Sequence, residues 1–108
     1  MNKENKFKTP ILIIAWKRPK QTKELIKKVK EINPYKLYIA CDGPKNENPV
    51  EDNKVSETRE LLLKSFEEVS LKKFLFSKNN QGCKVGVSNA INWLFENERE
   101  GIILEDDC

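Results

Sequence analysis

The chain contains no histidine, and its three cysteines, Cys41, Cys83 and Cys108, are widely and unequally spaced. A structural zinc site needs four Cys or His ligands, and these usually include a closely spaced pair. No such pair is present, so the sequence argues against a zinc site. We interpret the cysteines as reduced thiols of a cytosolic protein.

Long apolar runs are also missing. No stretch approaches the roughly 20 apolar residues that a membrane-spanning helix needs, and the opening "MNKENKFK" is too polar for a signal peptide. We therefore predict a cytoplasmic protein without a transmembrane segment. Peripheral attachment at the inner face of the membrane stays open as an alternative.

Neither sign of charge dominates: the chain has 20 Lys and Arg residues and 17 Asp and Glu residues, which gives a net charge of +3. Nucleic-acid-binding surfaces carry basic stripes interleaved with aromatic residues, and this chain has none. Nucleic acid is therefore not an expected partner. At 108 residues, with apolar blocks between charged segments, the chain is expected to fold as one domain.

Four short apolar segments alternate with three amphipathic patterns. The segments predict strands at 10–16, 36–41, 73–77 and 101–104. The first helix is predicted to start near Pro19 and to end at Asn33 and Pro34. Residues 42–53 are predicted to form a loop whose Asp52 or Asn53 caps the second helix, and residues 78–86 a loop before the third.

This βαβαβαβ order predicts an open, mostly parallel α/β sheet with helices on both faces, a Rossmann-like arrangement. The first strand, "PILIIAW", is continuously apolar, which is typical of a strand covered on both faces. Residues 1–9 form a polar N-terminal tail, and residues 10–108 form the domain.

Ligands of open α/β sheets bind at the carboxyl ends of the strands. In this chain the loops that follow the four predicted strands should therefore share one edge. The polar side chains that they offer are Arg18, Asp42, Asn79, Asn80, Lys84, Glu105, Asp106 and Asp107.

The last strand runs directly into three carboxylates, Glu105, Asp106 and Asp107. Adjacent carboxylates repel one another unless a cation neutralises them. Because side chains alternate along an extended chain, Glu105 and Asp107 should point one way and Asp106 the other. Carboxylate oxygens suit Mg²⁺ or Mn²⁺. A helix cap or a solvated turn is the alternative.

The other polar positions each allow two interpretations. Asp42, followed by Gly43 and Pro44, either shapes a turn or accepts a hydrogen bond from a base. Arg18 either pairs with a phosphate or is a solvated residue at a helix start. Lys84 is a candidate for phosphate contact, although the chain has neither a P-loop motif nor a GxGxxG motif. Trp16 either lines a pocket or packs at the strand end, and we favour packing.

Three stretches together resemble the nucleotide-binding half of a GT-A glycosyltransferase. They are "PILIIAWKRP", "YIACDGP" and "NNQGCKVGVSNAINWLFENEREGIILEDDC". Each is similar to the matching segment of bacterial nucleotide-diphospho-sugar transferases related to the family-2 enzymes. The first strand with its "RP" and the closing "EDD" also resemble N-acetylglucosaminyltransferase I. The likeness covers nearly all of residues 10–108, and its specificity lies in the ordered set.

The resemblance implies a role for each motif. The loop from Ala15 to Pro19 would wall the base, with Arg18 near the nucleotide, and Asp42 would accept a hydrogen bond from a uracil-type ring. "EDD" looks like the family's DxD-type motif. Asp107 would then coordinate the Mn²⁺ or Mg²⁺ that bridges the diphosphate, while Glu105 and Asp106 would meet the sugar or the ribose.

Such enzymes also have a second half that binds the acceptor and, in inverting members, provides a general base. The chain stops one residue after the acidic motif, so we expect a half-domain that binds a nucleotide-diphospho-sugar, with a UDP-sugar favoured, and does not turn over alone. An unfinished sheet would expose an edge and favour self-association. There are two alternatives. One is a fragment of a sugar-phosphate nucleotidyltransferase, but that class usually has a Gly-rich loop after the first strand, and "AWKRPKQ" contains no glycine. The other is a non-catalytic α/β interaction module.

Overall fold

The structure, a computed structural model, describes residues 6–45 and 49–106. Its elements follow the predicted βαβαβαβ order. They are β1 (Ile11–Ala15), α1 (Pro19–Ile32), β2 (Lys36–Cys41), α2 (Pro49–Ser65), β3 (Leu71–Phe76), α3 (Cys83–Asn97) and β4 (Ile102–Glu105). Within these residues no helix is both long enough and apolar enough to cross a bilayer.

All four strands are parallel, in the order β3-β2-β1-β4. β1 lies inside the sheet, and its Ile14 pairs with Ala40 on one side and with Glu105 on the other. The predicted open, parallel α/β fold is thus confirmed. Because the strands are parallel, the loops that follow them lie along one edge, which we call the rim.

The two faces of the sheet explain why β1 is apolar throughout. Ile11, Ile13 and Ala15 belong to one buried cluster with residues of α1 and α2, whereas Leu12 and Ile14 belong to a second cluster with α3. A strand covered on both faces cannot alternate apolar with polar residues. The helices therefore lie on both faces of the sheet, as predicted.

The first helix ends where the sequence predicts. Asn33 adopts the left-handed conformation, with φ of 60°, and its N–H bonds back to the carbonyls of Val29 and Lys30. Asparagine tolerates this conformation better than most residues, so it is a common helix stop. Phe7, from the polar tail, donates its N–H to Asn33 and accepts one from Tyr35, so the described end of the tail is fastened to this turn.

The second and third helices begin earlier than predicted. α2 starts at Pro49 rather than after Asp52, because proline suits a first turn, where its missing N–H costs nothing. Acidic residues in a first turn also suit the helix dipole, so the expected cap lies inside the helix. α3 starts at Cys83, directly after Gly82, whose φ of 87° is a conformation that glycine adopts easily.

The two described cysteines, Cys41 and Cys83, differ in whether their thiol is free. Cys41 is free and buried, and burial raises the pKa of its thiol to about 11. Cys83, in contrast, is disulfide-bonded. The expectation of reduced thiols is therefore wrong for Cys83, since sequence spacing does not show which side chains meet in the fold.

Candidate functional site

A small cavity opens at the rim, among the ends of β1, β2 and β4 and the first turn of α3. Its volume is about 30 Å³, enough for a water molecule or an ion. Its lining includes three predicted site residues, Ala15, Asp42 and Asp106, together with Trp16 and Gly82. The rim therefore brings together residues that the sequence places up to 91 positions apart, from Ala15 to Asp106.

The carboxylate of Asp42 is surrounded by donors from its own chain. It accepts the backbone N–H groups of Gly43 (2.8 Å), Gln81 (2.9 Å) and Gly82 (3.1 Å), and the side-chain amide of Asn80 (3.3 Å). Asp42 thus joins the loop after β2 to the loop after β3. A base N–H, as the resemblance implies, would have to share this carboxylate with those donors.

Gly43, through its carbonyl, also helps to join the loop after β2 to the loop after β3. The carbonyl accepts the indole N–H of Trp16 and the amide of Asn80, both at 2.9 Å. A Cβ at Gly43 would lie 2.6 Å from the carbonyl carbon of Asn79, so only glycine fits. Trp16 also packs against the apolar cluster under α1 and α2. It therefore both packs, as favoured from the sequence, and lines the cavity.

Arg59 of α2 also connects the loops that follow β2 and β3. No pattern in the sequence indicated this role for Arg59. Its guanidinium donates to the carbonyls of Asp42 and Ser77 and lies 5.0 Å from the ring centroid of Phe76. Its Nε is buried and has no hydrogen-bond partner among the described residues. Arg59 therefore binds the chain just beyond β2 to the chain just beyond β3.

Asp106 is held by the elements on either side of the loop that follows β1. Its carboxylate accepts the hydroxyl of Thr22 in α1 at 3.2 Å, and its own N–H donates to Ile14 of β1 at 3.1 Å. Burial raises the pKa of Asp106, although the Thr22 hydroxyl, the backbone of Trp16 and the charge of Arg18 oppose the shift. Its expected contact with sugar or ribose would compete with Thr22.

The remaining predicted side chains are more exposed. Arg18 is the N-cap residue of α1, Lys84 lies in the first turn of α3, and Glu105 ends β4; all three are exposed. Asp107, the predicted metal ligand, lies outside the described residues, as does Cys108. Their roles stay predictions.

A metal site is not completed by the described residues. Residues 6–45 and 49–106 contain no group of three or more His, Cys, Asp or Glu side chains arranged to hold an ion. The oxygens of Asp42 and Asp106 already accept hydrogen bonds from the chain, which leaves Glu105 as the exposed carboxylate of the described rim. A Mn²⁺ or Mg²⁺ site here would therefore need ligands from outside the described residues, and Asp107 is the one that the sequence predicts.

A larger groove is lined by Lys17 and Arg18 of the loop formed by residues 16–18, whose Trp16 lines the small cavity. The groove measures about 700 Å³ and runs between the first turns of α1 and α2. Its charged lining residues are Lys17, Arg18, Lys20, Lys54, Glu51 and Glu57. Lys17 bonds to the buried Glu51 at 2.8 Å and, together with the N–H of Lys45, lowers the pKa of that carboxyl. The lining keeps an excess of positive charge, which attracts anions.

Comparisons of the chain with protein-family models, with curated proteins and with solved structures found no significant match. The chemistry of the rim therefore rests on the geometry described above and on the resemblance of its motifs.

Proposed function

We propose that the chain is the donor-binding part of a metal-dependent glycosyltransferase and binds a nucleotide-diphospho-sugar, with a UDP-sugar favoured. One observation carries this proposal. Asp42 and Asp106, which follow two strands separated by β1, line a single cavity beside the start of α3. The carboxyl edge of a parallel sheet is where such folds bind ligands.

The sizes of the two concavities indicate how a nucleotide would lie. Ligand pockets generally measure roughly 300–1,000 Å³, so the cavity of about 30 Å³ cannot hold a base, whereas the groove of about 700 Å³ can. The loop of residues 16–18 contributes to the lining of both. A nucleotide would therefore lie against this loop, with the positive charge of the groove favouring its diphosphate.

The chemistry of sugar transfer suits such a site. Breaking the bond between the anomeric carbon and the diphosphate releases a polyanionic leaving group, and positive charge near that group lowers the barrier. A divalent cation held by Asp107 would supply part of that charge. No described residue is placed as a general base, so the proposal assigns donor binding to this chain and leaves acceptor and turnover aside.

Titration calorimetry with UDP tests the proposal. We expect UDP to bind in the presence of Mn²⁺, to lose binding in EDTA, and to lose it in Asp107→Ala. Glu96→Ala, which removes an exposed carboxylate from α3, is the matched control and should bind as wild type does.

Other outcomes would assign a different function. Binding of UTP in preference to UDP would favour a sugar-phosphate nucleotidyltransferase. UDP binding that is unchanged by the removal of Mn²⁺ and by Asp107→Ala would contradict the metal-dependent site. If neither UDP nor UTP binds, an interaction module is favoured.

We also propose that the chain self-associates through the edge of β4. Among the described strands β4 pairs only with β1, so its other side presents unpaired N–H and C=O groups. Its residues Ile102, Ile103 and Leu104 carry no charge, and Ile102 is 38% exposed. The opposite edge strand, β3, carries Lys72 and Lys73, and lysines discourage edge pairing.

A further inference from the structure

We propose that Thr22 is a positioning residue: its hydroxyl, together with Asp106, fastens the loop after β1 to the end of β4. The loop is the segment of residues 16–18, and the pair is called the Thr22–Asp106 latch below. The consequence for ligand binding rests on the proposed function, because this loop would wall the nucleotide. The latch itself is argued from hydrogen bonds and burial alone.

Thr22 uses its hydroxyl in an unusual way for a helical threonine. Threonines inside helices commonly bond back to the carbonyl four residues earlier, as Thr58 does to Lys54 at 2.8 Å. Thr22 instead donates to Asp106 Oδ2, which is 84 residues away in the sequence. Its side chain is 0% exposed, and a buried hydroxyl without a partner is costly, so this long-range bond has a structural reason.

Asp106 has a second bond to the chain around this loop. Its N–H donates to Ile14, which precedes the loop, at 3.1 Å. The positive charge of Arg18, in the loop, acts on its carboxylate. Asp106 is therefore bonded to the chain both before and after the loop.

The Thr22–Asp106 latch connects two parts of the candidate site, the loop of residues 16–18 and the end of β4. The loop carries Arg18, and β4 carries Glu105 at its end, directly before Asp106. With the latch closed, the spacing between the loop and the end of β4 is set before any ligand arrives, which spares the ligand the cost of ordering the loop. Without the hydroxyl, Asp106 loses a donor at a half-buried position, and the helix that follows the loop loses its hydrogen bond to this residue.

Amide hydrogen exchange by NMR tests the latch without any ligand. In Thr22→Val, which keeps the side-chain shape, we expect the Asp106 amide, which donates to Ile14, to exchange about tenfold faster than in wild type, because local opening becomes easier. Thr22→Ser keeps the hydroxyl and should restore slow exchange. Thr58→Val is the matched control, since it removes an equally buried hydroxyl from α2. Equal acceleration in Thr22→Val and Thr58→Val would overturn the latch.

The wild-type protein supplies a test that needs no variant to fold. The hydroxyl proton of Thr22 is buried and donates to Asp106, so it should exchange slowly enough to give its own NMR signal. A hydroxyl proton that exchanges too fast to be seen would overturn the latch.

UDP titration in Mn²⁺ then tests its consequence. We expect Thr22→Val to weaken UDP binding about tenfold, with Thr22→Ser and Thr58→Val near wild type. Unchanged affinity in Thr22→Val would overturn the positioning role. If wild type itself fails to bind UDP, the proposed function and the positioning role both fall, while the exchange measurements decide the latch separately.

Discussion

At Gly43 the main chain passes so close to the loop after β3 that a side chain does not fit. A Cβ there would lie 2.6 Å from Asn79 C and 2.7 Å from Ser77 O, and both are backbone atoms that cannot swing aside. The same residue receives hydrogen bonds from Trp16 and Asn80. A substitution would therefore push apart the two loops that Asp42 joins.

We expect Gly43→Ala to lower the free energy of unfolding by about 1–3 kcal/mol, the range of an overpacked site. Gly82→Ala is the comparison. A Cβ at Gly82 meets no atom within 4 Å, so its cost is only the strain of the backbone at φ 87° and ψ 155°, a conformation that essentially only glycine adopts, about 1–3 kcal/mol. Chemical denaturation measures both. A loss in Gly43→Ala below about 1 kcal/mol would show that the loops separate without strain.

Asp42 and Asp106 share a second property at this scale. Both were candidate ligand residues from the sequence, and both line the cavity, yet each carboxylate accepts hydrogen bonds from other parts of the chain. Asp42 accepts three backbone N–H groups and Asp106 a buried hydroxyl, and charge-assisted bonds of this kind hold the chain in place. Their contribution to binding includes the shape of the rim, whatever contact they make with a ligand.

Among the elements, α3 is anchored at its far end by Glu98. This residue accepts the hydroxyl of Tyr38 at 2.6 Å and pairs with Lys36 at 2.9 Å, so the end of the helix is tied to β2. Tyr38 also meets Trp93 edge to face, with ring centroids 5.0 Å apart. These contacts fix the helix whose first turn borders the cavity.

The charge state of Glu98 makes this anchor dependent on pH. The Tyr38 hydrogen bond, and after it Lys36, lower the pKa of Glu98 from its ordinary 4.5, although burial opposes them. Because the folded state holds the carboxylate ionised, its stabilisation is present above about pH 4.5 and is lost as the pH falls through the lower folded pKa.

We expect Glu98→Gln to be less stable than wild type by about 1 kcal/mol at pH 7, and the difference to vanish in strong acid. Urea denaturation at a series of pH values measures it. Glu100→Gln, which changes an exposed carboxylate nearby, should show no such trend. A wild-type advantage that persists undiminished to low pH would contradict the anchor.

For the molecule as a whole, the edge of β4 decides whether copies associate. Sedimentation or light scattering should show an average mass that rises with protein concentration. Ile102→Lys places a charge on this edge and should lower that mass to the monomer's, because lysine opposes strand pairing. Leu63→Lys, at a half-exposed position of α2, is the control and should leave association intact. A mass independent of concentration in wild type would contradict the proposal.

Much of the fold follows from local patterns. The continuous apolarity of β1, the helical spacing of apolar residues and the stop at Asn33 each depend on residues a few positions apart, and each was predicted. The starts of α2 and α3 were not, because a stretch rich in Pro, Asp and Gly suits either a loop or a first turn.

Part of the candidate site could likewise be predicted from the sequence, and part could not. The sequence predicted that the loops carrying Asp42 and Asp106 share one edge, because parallel strands place their carboxyl ends together, and both residues line the cavity. It did not indicate Arg59 or Thr22, whose patterns are those of ordinary helical residues. Their roles depend on partners 17 or more positions away, at Asp42 and Asp106.

By itself, then, the sequence determined the alternation of strands and helices and the edge that the loops after the strands share, since hydrophobic periodicity is read within a few turns. Only the tertiary structure decided the order β3-β2-β1-β4, the donors that occupy Asp42 and the bond from Thr22 to Asp106. These depend on which distant side chains meet when the apolar faces are buried, and no local pattern encodes such meetings.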